Sequence, residues 1–210
     1  MYMHICGIDE VGRGALAGPL IAVAAMFGHE GSTSPNSPFE LKNSPIKGID
    51  DSKKLTAAKR EELFCCIIRS PYFRDFGIGE ISVDEINEVG IEQANKRAFK
   101  RAVSDLYQRP DYLLIDGDNG IYGWGDHQHN EPKADGKYWP VGAASILAKV
   151  IRDGLMAEYA KDYPKYNFAE NAGYGTDYHK QALQSYGPCH IHRSQFIRKI
   201  MTHVSHERTS

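Results

Sequence analysis

Apolar residues dominate positions 2–8 and again 19–27, with a glycine-rich turn between them. Short Ile-, Val- and Ala-rich runs bounded by turn residues predict two strands of a hairpin or meander. From 28 to 48 (GHEGSTSPNSPFELKNSPIKG) no period is visible and Ser, Pro, Gly and Asn prevail. An exposed loop is expected there, long enough to be an insertion or a flap. Thr56 stands where it can cap a helix reaching about Ser70, with Leu63, Phe64 and Ile67 turned inward. FRDFGIGEIS reads as a strand, and Ser82 and Glu85 have capping-box spacing for a short helix.

Ala94, Ala98, Ala102 and Leu106 recur at four-residue intervals and define one face of a helix over 91–108, which Pro110 ends. DYLLID is a buried strand running into Asp116, and 117–140 reads as loop with one short strand. VGAASILAKVIRDGLMAEYAKDY is the clearest helix, followed by helical segments near 177–186 and 194–203. Strands come first and then alternate with helices, so the class is α/β. Without repeats or a composition break, a single domain over 1–210 is expected.

Composition narrows this picture only slightly. The chain has 210 residues, 41% hydrophobic and 25% charged, the profile of an ordinary water-soluble fold. No apolar run approaches the roughly 18 residues of a membrane span, and no basic segment leads into an apolar one at the N-terminus, so neither membrane nor signal peptide is expected. Cys6, Cys65, Cys66 and Cys189 lack paired-ligand spacing and read as reduced thiols in a cytoplasmic protein. A net charge of −2 rules out global attraction to nucleic acid. Any such binding must rest on a local basic face or on metal ions.

The chemistry concentrates in GIDEVGRGALAGPL, where Asp9 and Glu10 end a strand beside the Gly12-Arg13-Gly14 turn. Neighbouring strand residues point to opposite faces, so the two acids are expected to converge through a backbone turn that the glycines permit. Asp116 closes a second strand and Asp153 lies in a helix. Clustered carboxylates repel unless cations neutralise them, and Mg²⁺ binds through few carboxylates while leaving positions for phosphate oxygens. Acids from separate elements therefore suggest a two-metal phosphodiester site. Taken singly, each also reads as a turn former or cap, and Asp153 as a partner of Lys149 four residues earlier. Cys189, His190 and His192, with His127 and His129 upstream, do not have a standard zinc spacing.

GIDEVGRGALAGPL resembles the opening motif of the ribonuclease HII (type 2 ribonuclease H) family. DDSKKL, YLLIDGD, GAASILAKVIRD, AGYGTDYH and HIHRSQF resemble five further motifs, in family order across residues 5–196. The resemblance implies a ribonuclease H-like fold, a central mixed sheet flanked by helices, with a small C-terminal helical portion over about 160–203. It implies cleavage of RNA in RNA–DNA hybrids and nicking 5′ of single ribonucleotides in duplex DNA, leaving 5′-phosphate and 3′-hydroxyl. Those nucleic acids are the implied partners, for an enzyme expected to act as a monomer.

By the same resemblance, Asp9, Glu10, Asp116 and Asp153 are catalytic and hold two Mg²⁺ or Mn²⁺ ions. One ion acidifies a water and the other stabilises the departing 3′ oxygen. The fourth Asp, in place of Glu, and the lack of an extra N-terminal domain favour this subfamily over ribonuclease HIII. Gly12, Arg13 and Gly14 match the ribonucleotide-sensing turn, whose bare backbone can meet a 2′-hydroxyl. Tyr174 matches the tyrosine that packs on the deoxyribose 3′ of the ribonucleotide. Ser52, Lys53, Lys54, Lys149, Arg193 and Ser194 are candidate phosphate contacts. Gly175 stands where the family usually has Pro, Gly90 where Asn is common, Asn95 where Thr is common and Ala134 where Gly is frequent. Two alternatives stay open: a general hybrid nuclease with weak junction preference, and a non-catalytic hybrid-binding module.

Overall fold

Ten residues, Tyr2–Val11, form the first strand, β1, of a computed structural model that describes residues 2–30, 39–49 and 52–207, without the side chains at 2, 29, 30, 53 and 203–207. The chain divides into two compact units. One comprises Met1–Val11, Ile21–Glu80 and Asn95–Val150; the other comprises Gly12–Leu20, Ile81–Ala94 and Ile151–Ser210.

The first unit is built on a five-stranded sheet. With β2 (Leu20–Glu30), β3 (Phe73–Ile81), β4 (Tyr112–Asp116) and β5 (Gln128–Glu131), the order is β3-β2-β1-β4-β5. β1 pairs antiparallel with β2 and parallel with β4, and β4 pairs parallel with β5. The sheet is therefore mixed, and the carboxyl ends of β1, β4 and β5 share one edge. Leu20 through Phe27 are buried without interruption, as a strand covered on both faces requires. Helix α1 (Ala57–Ile68) begins where Thr56 accepts a hydrogen bond from the Lys59 N–H, with Leu63 and Ile67 buried and Phe64 half-buried.

Ser82 caps α2 (Val83–Val89) by accepting from the Glu85 N–H. The alanine face of α3 (Ile91–Ser104) is buried at Ala94, Ala98 and Ala102. Helix α4 (Trp139–Asp162) runs through the chain boundary between the units at Val150. The second unit adds α5 (Phe168–Asn171), α6 (Asp177–Tyr186) and α7 (Ser194–Glu207). Its core gathers Met156, Phe168, Leu183, Ile191 and Ile197.

Two expectations change. Positions 31–38 of the anticipated loop lie outside the described residues, but the stretch after them is anchored. Phe39, Ile46 and Ile49 are buried, and Glu40 bridges to Tyr138. Isolated apolar residues at such spacing carry no period, so the pattern did not reveal them. The strand carrying Asp9 and Glu10 also continues to Val11, because Asp9 opposes Val23 and Glu10 opposes Ala22 in the ladder. The backbone turns at Gly12, after the acids. No helix among the described residues is long and apolar enough to cross a membrane.

Candidate active site

The register of β1 and β4 places two acids side by side. Ile8 opposes Ile115 in the parallel pair, so Asp9 and Asp116, one residue on, stand next to each other at the carboxyl edge. That edge is where open α/β sheets offer ligand sites. Gly7 explains how Asp9 is covered: a Cβ there would meet Pro140 backbone atoms at 2.1 Å. The bare strand lets the first turn of α4 approach, and Asp9, two residues further on the same face, comes within reach of Ser145.

Asp9 is only 5% exposed. Its carboxylate accepts from the Glu10 N–H at 2.7 Å, and the Ser145 hydroxyl bonds to it. Ser145 and Ser52 lie 2.8 Å apart, Oγ to Oγ. Because the Ser145 proton is directed to Asp9, Ser52 donates in turn, giving the chain Ser52→Ser145→Asp9. Burial drives the Asp9 carboxyl well above its ordinary range; Glu10, Asp116 and Asp135 push it further, and Ser145 only partly counters them. Asp116 accepts from the Ala134 N–H at 2.7 Å, and Asp135 is buried.

This edge is a concentration of hard oxygen donors. Among the described residues, no group of three or more His, Cys, Asp or Glu side chains stands arranged to hold a metal ion. An acid cluster short of a cage suits a small divalent cation that completes its shell with water and phosphate. The donors fit such an ion: burial penalises the charge on Asp9, the negative charges of Glu10 and Asp116 add to that penalty, and a cation would relieve it.

In the second unit the Gly12 turn is built on two buried arginines. Gly12 has φ +93°, and a Cβ there would fall 2.2 Å from Arg152 Nε, so glycine is required on both counts. The Gly12 N–H donates to the Tyr174 hydroxyl at 3.2 Å, and its carbonyl accepts from Arg193 Nη1 at 2.7 Å. Arg193 also donates to the carbonyls of Arg13 and Gly18. Arg152 donates to those of Pro19, Ala172 and Ala17. Both guanidinium groups are fully buried. Burial and repulsion from Arg152 bring Arg193 down to about 9, so it remains a cation at neutral pH.

Several candidate contacts are thereby corrected. Arg193 is no phosphate contact, because its donors are committed to backbone carbonyls inside the fold. Ser52 is buried behind Asp9 and offers its hydroxyl to Ser145, not to a phosphate. Ser194 starts α7 and donates through both its N–H and its hydroxyl to Asn87. Arg13 is exposed and pairs with Glu92 at 2.5 Å. Lys54 is exposed and Lys149 half-buried, while the Lys53 side chain lies outside the described residues.

Gly14 has open space where a Cβ would project. Tyr174 is half-buried, with the Arg152 guanidinium 5.5 Å from its ring centroid. Asp153 is half-buried in the second unit. At the departure position 95, Asn95 is 7% exposed and its Oδ1 has no hydrogen-bond partner among the described residues. Sequence reasoning missed Ser145 and Asp135. Ser145, a lone hydroxyl in the apolar stretch GAASILA, was the available signal.

The profile of the family described as Ribonuclease HII matches residues 6–199. The chain is 42% identical over 200 residues to a Ribonuclease HII of Clostridioides difficile, covering 95% of this chain and 72% of that protein. It is similar to the crystal structure of ribonuclease H2 from Pyrococcus horikoshii at TM-score 0.74 and 27% identity, covering 97% of this chain and 99% of the other. A Bst-RNase HIII in complex with Mn²⁺ shares the fold at TM-score 0.63 and 17% identity, over 97% of this chain and 71% of that one. The chain belongs to the ribonuclease HII family, metal-dependent endoribonucleases that act on RNA in RNA–DNA hybrids.

Proposed function

We propose that this endoribonuclease, acting as a monomer, also nicks duplex DNA 5′ of a single embedded ribonucleotide and leaves 5′-phosphate and 3′-hydroxyl ends. The observation that carries the reading is Asp9, a buried carboxyl pushed upward by Glu10 and Asp116 at the carboxyl edge of the sheet. Buried like charges without a cation are costly, so their retention speaks for a ligand that brings positive charge. Asp9, Glu10 and Asp116 would hold divalent cations, and the family pattern assigns Asp153 to the same set. Mg²⁺ or Mn²⁺ is the proposed ion; the Mn²⁺ in the HIII structure supports that class. When bound, a pair of such ions supplies Lewis-acid chemistry, acidifying a water and offsetting charge on the departing oxygen.

The chain's own groups do the rest. The Ser52→Ser145→Asp9 chain fixes the orientation of the Asp9 carboxylate. Both main-chain polar groups of Gly12 are engaged within the fold, so approach of a ribose to bare backbone falls to Gly14, beyond which there is space. A 2′-hydroxyl both donates and accepts, which lets backbone groups distinguish it from hydrogen. Tyr174 is assigned the sugar that follows, where its ring disfavours a second 2′-hydroxyl. Lys53, Lys54 and Lys149 are assigned to phosphates, where they position without reading sequence.

The test compares three duplexes in Mg²⁺ and in Mn²⁺: all-DNA, DNA with one ribonucleotide, and a uniform RNA–DNA hybrid. The reading expects no cleavage of the first, a single nick in the second and several cuts in the third. An intact single-ribonucleotide duplex alongside a cleaved hybrid would overturn the junction reading and leave a general hybrid nuclease.

A further inference from the structure

His179 and His192 are buried, at 0% and 4% exposed, and their Nε2 atoms are 2.9 Å apart. The proton positions in this pair follow from its neighbours. The Tyr174 carbonyl lies 2.9 Å from His179 Nδ1. A carbonyl only accepts, so His179 carries its proton on Nδ1 and, being neutral, offers a lone pair at Nε2. His192 must then carry its proton on Nε2. Its Nδ1 lone pair accepts the Cys189 N–H at 2.9 Å, with the Cys189 thiol 3.1 Å away; the Cys189 carbonyl, at 3.3 Å the longest of the three contacts, receives no proton in this arrangement. The chain runs one way, from Cys189 through His192 and His179 to the carbonyl of Tyr174.

A second proton has no place in it, since two N–H groups would face each other across the Nε2 contact. The surroundings agree. Tyr166 and Phe168 pack edge-on or tilted against both imidazoles, and the Tyr166 hydroxyl donates to the Gly187 carbonyl. Cys189 and Tyr166 are the titratable neighbours, both raised by burial and so neutral. Burial also lowers both histidines, His192 to about 4.

The end of this chain meets Tyr174 at a position that needs holding. The Tyr174 carbonyl also accepts the Thr176 N–H at 2.9 Å, closing a three-residue turn around Gly175. Gly175 is not among the glycines with positive φ, and a Cβ there would come no closer than 3.0 Å to the end of the Leu16 side chain. Nothing steric at residue 175 therefore fixes the turn. The hydroxyl of Tyr174 is tied to Gly12, and its main chain is tied to the imidazole pair.

We propose that His179 and His192 are positioning residues that set the stance of Tyr174, and through it the preference for a deoxyribose 3′ of the ribonucleotide. This rests on the assignment of Tyr174 to that sugar. The measurement is the ratio of kcat/KM on the single-ribonucleotide duplex to that on a uniform hybrid. His179→Ala and His192→Ala are each expected to lower the ratio roughly tenfold, as loss of one specificity contact does, while kcat on the hybrid stays within about twofold. The double variant should be no worse than either alone, because the residues act in series. His179→Asn, whose amide can donate where Nδ1–H did, should keep most of the ratio. Gly175→Pro, which restricts the backbone of the turn, should restore it in His179→Ala.

Imidazole ¹⁵N spectra of the wild type at neutral pH give an independent readout. They should show an Nδ1–H tautomer for His179 and an Nε2–H tautomer for His192; two Nε2–H tautomers would overturn the chain. If Tyr174→Ala lowers the ratio and His179→Ala does not, the positioning role is wrong and the Tyr174 assignment stands. If Tyr174→Ala leaves the ratio unchanged, the assignment itself fails and the proposal with it.

Discussion

The acidic edge of the sheet and the Gly12 turn handle buried charge in opposite ways. At the edge, Asp9 is surrounded by Glu10, Asp116 and Asp135, and its hydroxyl support from Ser145 does not offset them. At the turn, two buried arginines direct their donors to six different carbonyl groups. The first region is electrostatically incomplete and reads as a place where a cation belongs. The second is complete in itself and reads as a rigid support. Strain is retained where a ligand relieves it and removed where geometry must be kept.

The sharpest way to break this contrast is to neutralise one side at a time. Asp9→Asn is expected to reduce cleavage by roughly a thousandfold or more, about 4 kcal/mol of transition-state stabilisation. The same change should raise the melting temperature in EDTA, since it removes a buried carboxyl that its neighbours oppose. Arg193→Ala should do the reverse. It removes the guanidinium donor from the Gly12, Arg13 and Gly18 carbonyls, the first of which keeps only the Ala15 N–H at 3.2 Å, and should cost on the order of 3 kcal/mol of stability, read from denaturant unfolding.

The glycines sharpen the comparison at smaller scale. Gly12→Ala meets a left-handed backbone and Arg152, so it should cost at least about 1–3 kcal/mol. Gly14→Ala meets open space and should change stability by no more than about 0.5 kcal/mol. If Gly14 faces the ribose, it should still weaken binding of the ribonucleotide duplex.

The smallest effect is in pH, and its sign differs between Asp9 at the acidic edge and His192 in the second unit. Asp9 has a raised folded pKa, so the folded state holds a proton that the unfolded chain has released. Stability in EDTA should therefore fall as pH rises above about 4, relative to Asp9→Asn, and added Mg²⁺ should reverse the trend. His192 is depressed to about 4. The unfolded chain takes up protons there first, so stability should fall as pH drops from about 6.5 toward 4. Melting curves across the two ranges check both signs.

Much of this was legible in the residues, and what was not has physical reasons. Thr56 and Ser82 cap their helices as their spacing indicates, because capping is a local interaction. The alanine face of α3 is likewise local and periodic. On the chain alone Arg193 is a candidate phosphate contact, because an arginine in a loop normally faces water. Only the fold shows backbone carbonyls converging on it. Ser52 and Ser145 are 93 residues apart, and their hydrogen bond follows from tertiary packing alone. His179 and His192 are 13 residues apart, and their pairing follows from tertiary packing and not from any spacing along the chain. Asp9 and Asp116 drew attention as strand-end acids, but their adjacency depends on the parallel register of β1 and β4.

The most direct test of the central claim uses a DNA duplex carrying one ribonucleotide, incubated with Mg²⁺ and either wild-type protein or Asp116→Asn, with both product ends sequenced and chemically typed. The account predicts a single nick 5′ of the ribose by the wild type, with a 5′-phosphate and a 3′-hydroxyl, and none by the variant. A nick of equal rate with both proteins, or no nick with either, would contradict it.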